Sequence, residues 1–132
     1  MPGHLFRIIS KNITTNTMKI ENEHVILFEI KKGKGTKWKK WCQLLRGAYR
    51  HEVERSLAEE KVEHEMFISF ELNGKIYGLA YMKGDCLPSN QTRAVNRIHR
   101  EKTKECLERV SQANIMYSAK IDPISVYSTT EW

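Results

Sequence analysis

A histidine, two carboxylates and a thiol fall within nine residues of this chain: Ile98 to Cys106 reads IHREKTKEC and carries His99, Glu101, Glu105 and Cys106. An imidazole can move a proton near neutral pH or ligate a metal. A thiol becomes a nucleophile when a neighbouring cation stabilises its thiolate. At helical pitch His99 and Cys106 stand two turns, about 10 Å, apart. One metal ion cannot take both without ligands from another element, so no metal and no cofactor is expected. Each group also has a plain structural reading. A histidine on the sheet-facing side of a helix is more often a hydrogen-bonded core residue, and Cys106 packs as a small apolar group. The active reading makes His99 a ligand contact or proton-transfer group and gives Cys106 a cation in Lys102, one turn away.

A second group is basic. Lys31, Lys32, Lys34, Lys37, Lys39 and Lys40 crowd into ten positions around Trp38 and Trp41. An anion at a helix N-terminus is attracted by such lysines and by the helix dipole together. Lys34, Lys37, Lys39 and Lys40 are therefore candidates for an anion or a nucleic-acid backbone. The competing reading is a solvated basic turn whose tryptophans belong to the core. GKGT is not a phosphate loop: Phe28 stands where the motif needs its first glycine, and Gly35 where it needs Ser or Thr. No Ser-His-Asp set, paired carboxylates or clustered metal ligands stand out.

These side chains need elements to position them. Val62 to Leu72 (VEHEMFISFEL) is rich in strand formers, Asn73-Gly74 tolerates positive φ, and Lys75 to Met82 (KIYGLAYM) runs back. Met66, Ile68, Phe70 and Leu72 share one face of this hairpin, with Phe67, Ser69 and Glu71 on the other. On the return strand Ile76, Gly78, Ala80 and Met82 alternate with Tyr77, Leu79 and Tyr81. Both faces are largely apolar, so each calls for a cover. Tyr77 and Tyr81 join His99 as candidate ligand contacts; half-exposed surface aromatics are the bland alternative.

Upstream, His24 to Ile30 (HVILFEI) reads as a buried strand. Thr36 is the natural N-cap of a helix whose apolar stripe runs through Trp38, Trp41, Cys42, Leu45, Ala48, Tyr49, Val53, Ser56 and Leu57 and fades near Glu60. Gly47 marks a bend or a close contact within it. Ser89 or Asn90 can cap a second helix carrying Val95, Ile98, His99, Lys102, Cys106 and Val110. SQAN is a break, and IMYSAKI and ISVYS flank Asp122-Pro123, where proline interrupts any last strand or confines it to an edge. The order βαββαβ gives an α+β class: a ferredoxin-like antiparallel sheet with two helices on one face. Residues 1–22 are expected to be an extension and 23–132 a single domain.

The helix motif His-x-Glu-x-x-x-Glu-Cys, met by His99, Glu101, Glu105 and Cys106, resembles the signature of an uncharacterised bacterial family of small ferredoxin-like proteins of the dimeric α/β-barrel group. The likeness covers roughly residues 24–125. The Ile-Asp-Pro that accompanies the cysteine there stands here at Ile121 to Pro123, after an insertion. The resemblance implies the fold and a homodimer closed over the open sheet face; the first function expected on that frame is a small molecule held between sheet and helices. Relatives of that architecture include cofactor-free monooxygenases and haem-handling enzymes, so an activity of the first kind is the catalytic alternative to plain binding. Fold alone names no activity. The RNA-recognition motif shares the strand order. KIYGLAYM keeps Lys75, Tyr77 and Gly78 of its signature but departs from it at Ile76, Leu79 and Met82. A nucleic-acid-binding module using the open face and the lysine cluster is accordingly the alternative function.

Composition sets the bounds. The chain has 132 residues, 40% hydrophobic and 29% charged, with a net charge of +6, which is one domain with room for a core. No apolar run approaches the roughly 18 residues of a membrane span, and MPGHLFRIISKN lacks the features of a leader. Three scattered cysteines without a CxxC pair argue against a disulfide framework. A reducing cytoplasm is the expected location, with no membrane partner.

Overall fold

A computed structural model describes residues 22–121. The arm expected at the N-terminus and the segment from Asp122-Pro123 onward lie outside the described residues. The elements follow as β1 (Glu23–Ile30), α1 (Gly35–Arg46), α2 (Arg50–Glu60), β2 (Val62–Leu72), β3 (Lys75–Gly84), α3 (Ala94–Cys106) and β4 (Leu107–Ala113). The strands make one sheet in the order β2-β3-β1-β4, and every neighbouring pair is antiparallel. This is the expected α+β class.

The hairpin is set by its turn. Asn73 and Gly74 both have positive φ, 53° and 76°, as a two-residue turn matched to strand twist requires. The register then pairs Phe67 with Ala80, Ser69 with Gly78 and Phe70 with Tyr77. Cross-strand partners share a face, so Glu65, Phe67, Gly78, Ala80 and Met82 look the same way, joined from β1 by Ile26, Phe28 and Ile30. The helices cover this face. Ile30, Trp38, Trp41, Val95, Cys106 and Leu107 form the buried cluster, with Phe28 and Phe67 packed against it. Gly78 is required here: a Cβ would lie 2.0 Å from the Phe67 ring that leans across it. That ring meets Trp38 edge-on with centroids 5.2 Å apart.

Four expectations are corrected. The first helix is two, because its hydrogen bonding breaks at Gly47, where the Tyr49 N–H turns back to Leu44 O at 2.8 Å. A Cβ on Gly47 would stand 3.0 Å from Gln43 O, so glycine permits the tight bend, and Ala48 is left exposed. Thr36 does not cap α1: the N-cap is Lys34, without a side-chain cap bond, and Thr36 already lies inside the helix. Asn90 caps a turn before α3, its Oδ1 accepting from Thr92 N at 3.0 Å, while the N-cap itself is Arg93. Finally, the last described strand is not in IMYSAKI and SQAN is no break. The helix stops at Cys106, Lys31 N–H donates to Cys106 O at 2.7 Å, and Leu107 onward pairs with β1. The ladder captures residues whose spacing would have continued the helix to Val110.

Candidate functional site

Between the helix-facing side of the sheet and α1, α2 and α3 lies an open cleft of about 660 Å³. Its floor is Ile26, Phe28, Phe67, Ala80 and Met82; its other walls include Trp38, Cys42, Leu45, Val53, His99 and Leu107. A neighbouring hollow of about 540 Å³ is lined by Ser56, Glu60, Asn96 and Arg100. The two share Leu45, Val53, Glu65, Met82 and His99, which makes them lobes of one space. A mostly apolar concavity with few polar groups is the usual form of a small-molecule site.

Two of those polar groups have displaced pKa values. Trp41 Nε1–H donates to His99 Nδ1 at 2.9 Å, and the two rings stack with centroids 6.1 Å apart. An indole N–H can only donate, so Nδ1 is the acceptor nitrogen of a neutral imidazole and the proton sits on Nε2. Burial lowers the His99 pKa, which agrees with that neutral form. Glu65 meets solvent in the cleft but has protein on most sides. Burial, and then the neighbouring Glu60 carboxylate, push its carboxyl up to about 7.

Glu60 is itself raised, chiefly by burial. Ser56 Oγ lies 2.5 Å from Glu60 Oε2 and 2.9 Å from Asn96 Oδ1, while Asn96 Nδ2–H donates to Asn90 O. One hydroxyl proton cannot serve two acceptors. Ser56 Oγ–H therefore donates to one of them at a time.

His99 is the sequence candidate that the structure places in the cleft together with these groups, and Lys39 also lines it. Tyr77 and Tyr81 are not brought to His99. They stand on the opposite face, Tyr77 stacked on Phe70 and Tyr81 donating to Glu23 Oε2 at 2.7 Å. Cys106 is fully buried in the core cluster, and Glu101 is exposed on α3. Lys34 and Lys37 both pair with Glu105, which raises Lys37 and lowers Glu105 through their hydrogen bond. Lys40 lines a separate shallow hollow with Lys37 and Lys102.

Sequence reasoning missed Glu65, Glu60 and Ser56. A signal for Glu65 existed: it falls in step with Phe67, on the side of β2 that the helices cover. Among the described residues no group of three or more His, Cys, Asp or Glu is arranged to hold a metal, and no helix is long and apolar enough to cross a membrane.

The family model described as "Family of unknown function (DUF6176)" matches residues 18–125, and the chain belongs to that family. No curated protein and no solved structure matches it.

Proposed function

We propose that this member of the family is a small-molecule-binding protein that holds its ligand between sheet and helices and works as a homodimer. The observation that carries the reading is the apolar cleft into which Glu65 and His99 both face, each with its pKa moved toward the neutral form. Perturbed groups converging on a concave site are a recurring mark of function. The β2-β3-β1-β4 order, with helices on one face, supports the ferredoxin-like plan. The other face supports self-association: Met66, Ile68, Phe70 and Leu72 stay 41–54% exposed beside Tyr77, Leu79 and Tyr81, and apolar patches of this kind mark interaction surfaces. The nucleic-acid alternative needs Lys34 and Lys37 for phosphates, yet both are turned onto Glu105.

The test uses the neutral dye Nile red, followed by its emission. One dye per chain is expected, with affinity falling about tenfold in Val53→Trp, which fills both lobes, and unchanged in Ile68→Ser on the open face. Loss of binding in Ile68→Ser with none in Val53→Trp would refute the cleft as the site. Circular dichroism confirms that both variants fold.

A further inference from the structure

Glu65 and His99 are the two ionisable groups that both lobes of the cleft share, one standing on β2 and the other on α3. Neither is consumed by the fold. The Glu65 carboxyl has no hydrogen bond or ion pair among the described residues; the charge it feels is that of Glu60. His99 commits one ring nitrogen, Nδ1, to the Trp41 indole. The other, Nε2, has no partner among the described residues and keeps its access to solvent. Because an indole can only donate, Nε2 carries the hydrogen. The cleft thus presents an unpaired carboxyl from its floor and an unpaired N–H from its helical wall.

A proton shift beside a carbonyl needs this pair of groups. Its base must be partly ionised and still hold a proton well, which an ordinary carboxylate does poorly at neutral pH. Glu65, pushed up to about 7, meets both conditions. Its partner should be a neutral imidazole in a fixed tautomer, able to donate to the oxygen on which charge develops. Burial and the Trp41 bond make His99 that group. The other charges around the space are Lys39 and Arg46 from α1, Arg50, Glu54 and Glu60 from α2, and Arg100 from α3. All but Glu60 are exposed, so water screens them. Cys42 stays a thiol, its pKa raised by burial. Apart from Glu65 the floor is apolar, which suits an uncharged substrate body.

Resting on the binding role proposed above, we infer that the cleft isomerises an apolar cyclic ketone, moving a β,γ double bond into conjugation, with Glu65 carrying the proton and His99 Nε2–H donating to the carbonyl oxygen. The Glu65 carboxylate takes a proton from the carbon between carbonyl and alkene. The C–H electron pair forms a double bond to the carbonyl carbon, and the carbonyl π pair moves onto oxygen, where Nε2–H steadies the charge. The oxygen pair then restores the carbonyl, the new double bond shifts one place along, and the old alkene pair takes the proton back from Glu65 at the γ carbon. The conjugated ketone and the carboxylate are left, with every proton and electron accounted for.

The probe is 5-androstene-3,17-dione, a β,γ-unsaturated ketone whose conjugated product is followed by its ultraviolet absorbance. The full chain should convert it faster than acetate at the same concentration. Glu65→Gln should lower kcat about a hundredfold, and His99→Phe by a similar factor of about a hundred, while both still take up Nile red. In the unaltered chain kcat should rise about tenfold per pH unit below 7 and level off above, as ionisation of the base requires; a merely structural Glu65 gives no such limb. Should His99→Phe not fold, NMR of the unaltered chain reads the same point: the Nε2 proton resonance should move on adding 2-naphthol, a flat mimic of the dienolate. Conversion no faster than with acetate, an undiminished rate in Glu65→Gln, a flat profile from pH 5 to 8 or an unmoved Nε2 resonance would overturn the assignment. If Nile red still enters the cleft in that event, the binding role stands and the reaction fails; if Nile red is refused as well, the binding role itself fails.

Discussion

Replacing Glu65 with glutamine keeps the size of the side chain and removes its titration. In the folded chain Glu65 holds its proton to about pH 7, whereas an unfolded glutamate releases it near 4.3. Between those values the folded state binds more protons, so the stability this group contributes is fully present below about pH 4 and is lost as pH rises toward 7. At about 1.4 kcal/mol per pKa unit the full displacement would correspond to roughly 4 kcal/mol. Because Glu65 meets water along the cleft, solvent screening reduces this to about 1–2 kcal/mol. His24 and His99 act in the opposite sense. Burial lowers both, so their contribution grows with pH until an unfolded imidazole is neutral, above about 6.5. The unaltered chain therefore shows a blend of opposed slopes, and the difference between the two proteins isolates Glu65. Urea unfolding at half-unit steps from pH 4 to 8 should give matching stabilities at pH 4, with Glu65→Gln the more stable by about 1–2 kcal/mol at pH 8. Parallel curves from pH 5 to 8 would show that the carboxyl is not desolvated, and the electrostatic case for the cleft would fall with it.

Three other perturbations test the frame around the site. Gly78→Ala places a methyl group against the Phe67 ring and should cost about 2 kcal/mol by overpacking; a variant within 0.5 kcal/mol of the parent by urea melt would deny the close approach. Trp41→Phe removes the donor to His99 Nδ1 and should cost about 1–2 kcal/mol. Nitrogen NMR should place the His99 proton on Nε2 in the unaltered chain, and a proton on Nδ1 would contradict the hydrogen bond. Ile68→Asp puts a charge in the middle of the open face and should convert a dimer to a monomer by light scattering while the far-ultraviolet dichroism is kept. A species already monomeric before substitution would remove self-association.

The fold was legible where its cause is local. Asn73-Gly74 specifies its turn from two residues, and with it the face that each residue of β2 and β3 takes. The stripe through Trp38, Trp41, Leu45 and Val53 is likewise a matter of helical pitch. What escaped was decided at a distance. Val110 continues the spacing of Val95, Ile98 and Cys106, so period alone extends the helix. The chain instead leaves it at Leu107, because β1 offers a free edge on which Leu107 pairs with Ile30. The bulge between Val62 and His64 follows from the same kind of non-local fit, against Gly84 and Lys83.

The candidate site divides along the same line. His99 could be singled out because an imidazole is chemically conspicuous wherever it stands. Glu65 was only half legible: it falls in step with Phe67, but by the same alternation so do Glu63 and Glu71. Its raised pKa comes from burial and from Glu60, which stands on another element. The two tryptophans show why position in a stripe is half an answer. Trp38 and Trp41 lie three residues apart and are both buried, which the spacing foretells. Burial then obliges each N–H to find an acceptor, and one turn of helix is enough to separate their outcomes. Trp41 meets His99 and fixes its tautomer. Trp38 is closed in by its neighbours, and its N–H finds no acceptor among the described residues. Helical pitch decides that an indole is buried; whether an acceptor stands opposite its N–H is decided by the elements packed against it, which pitch does not specify.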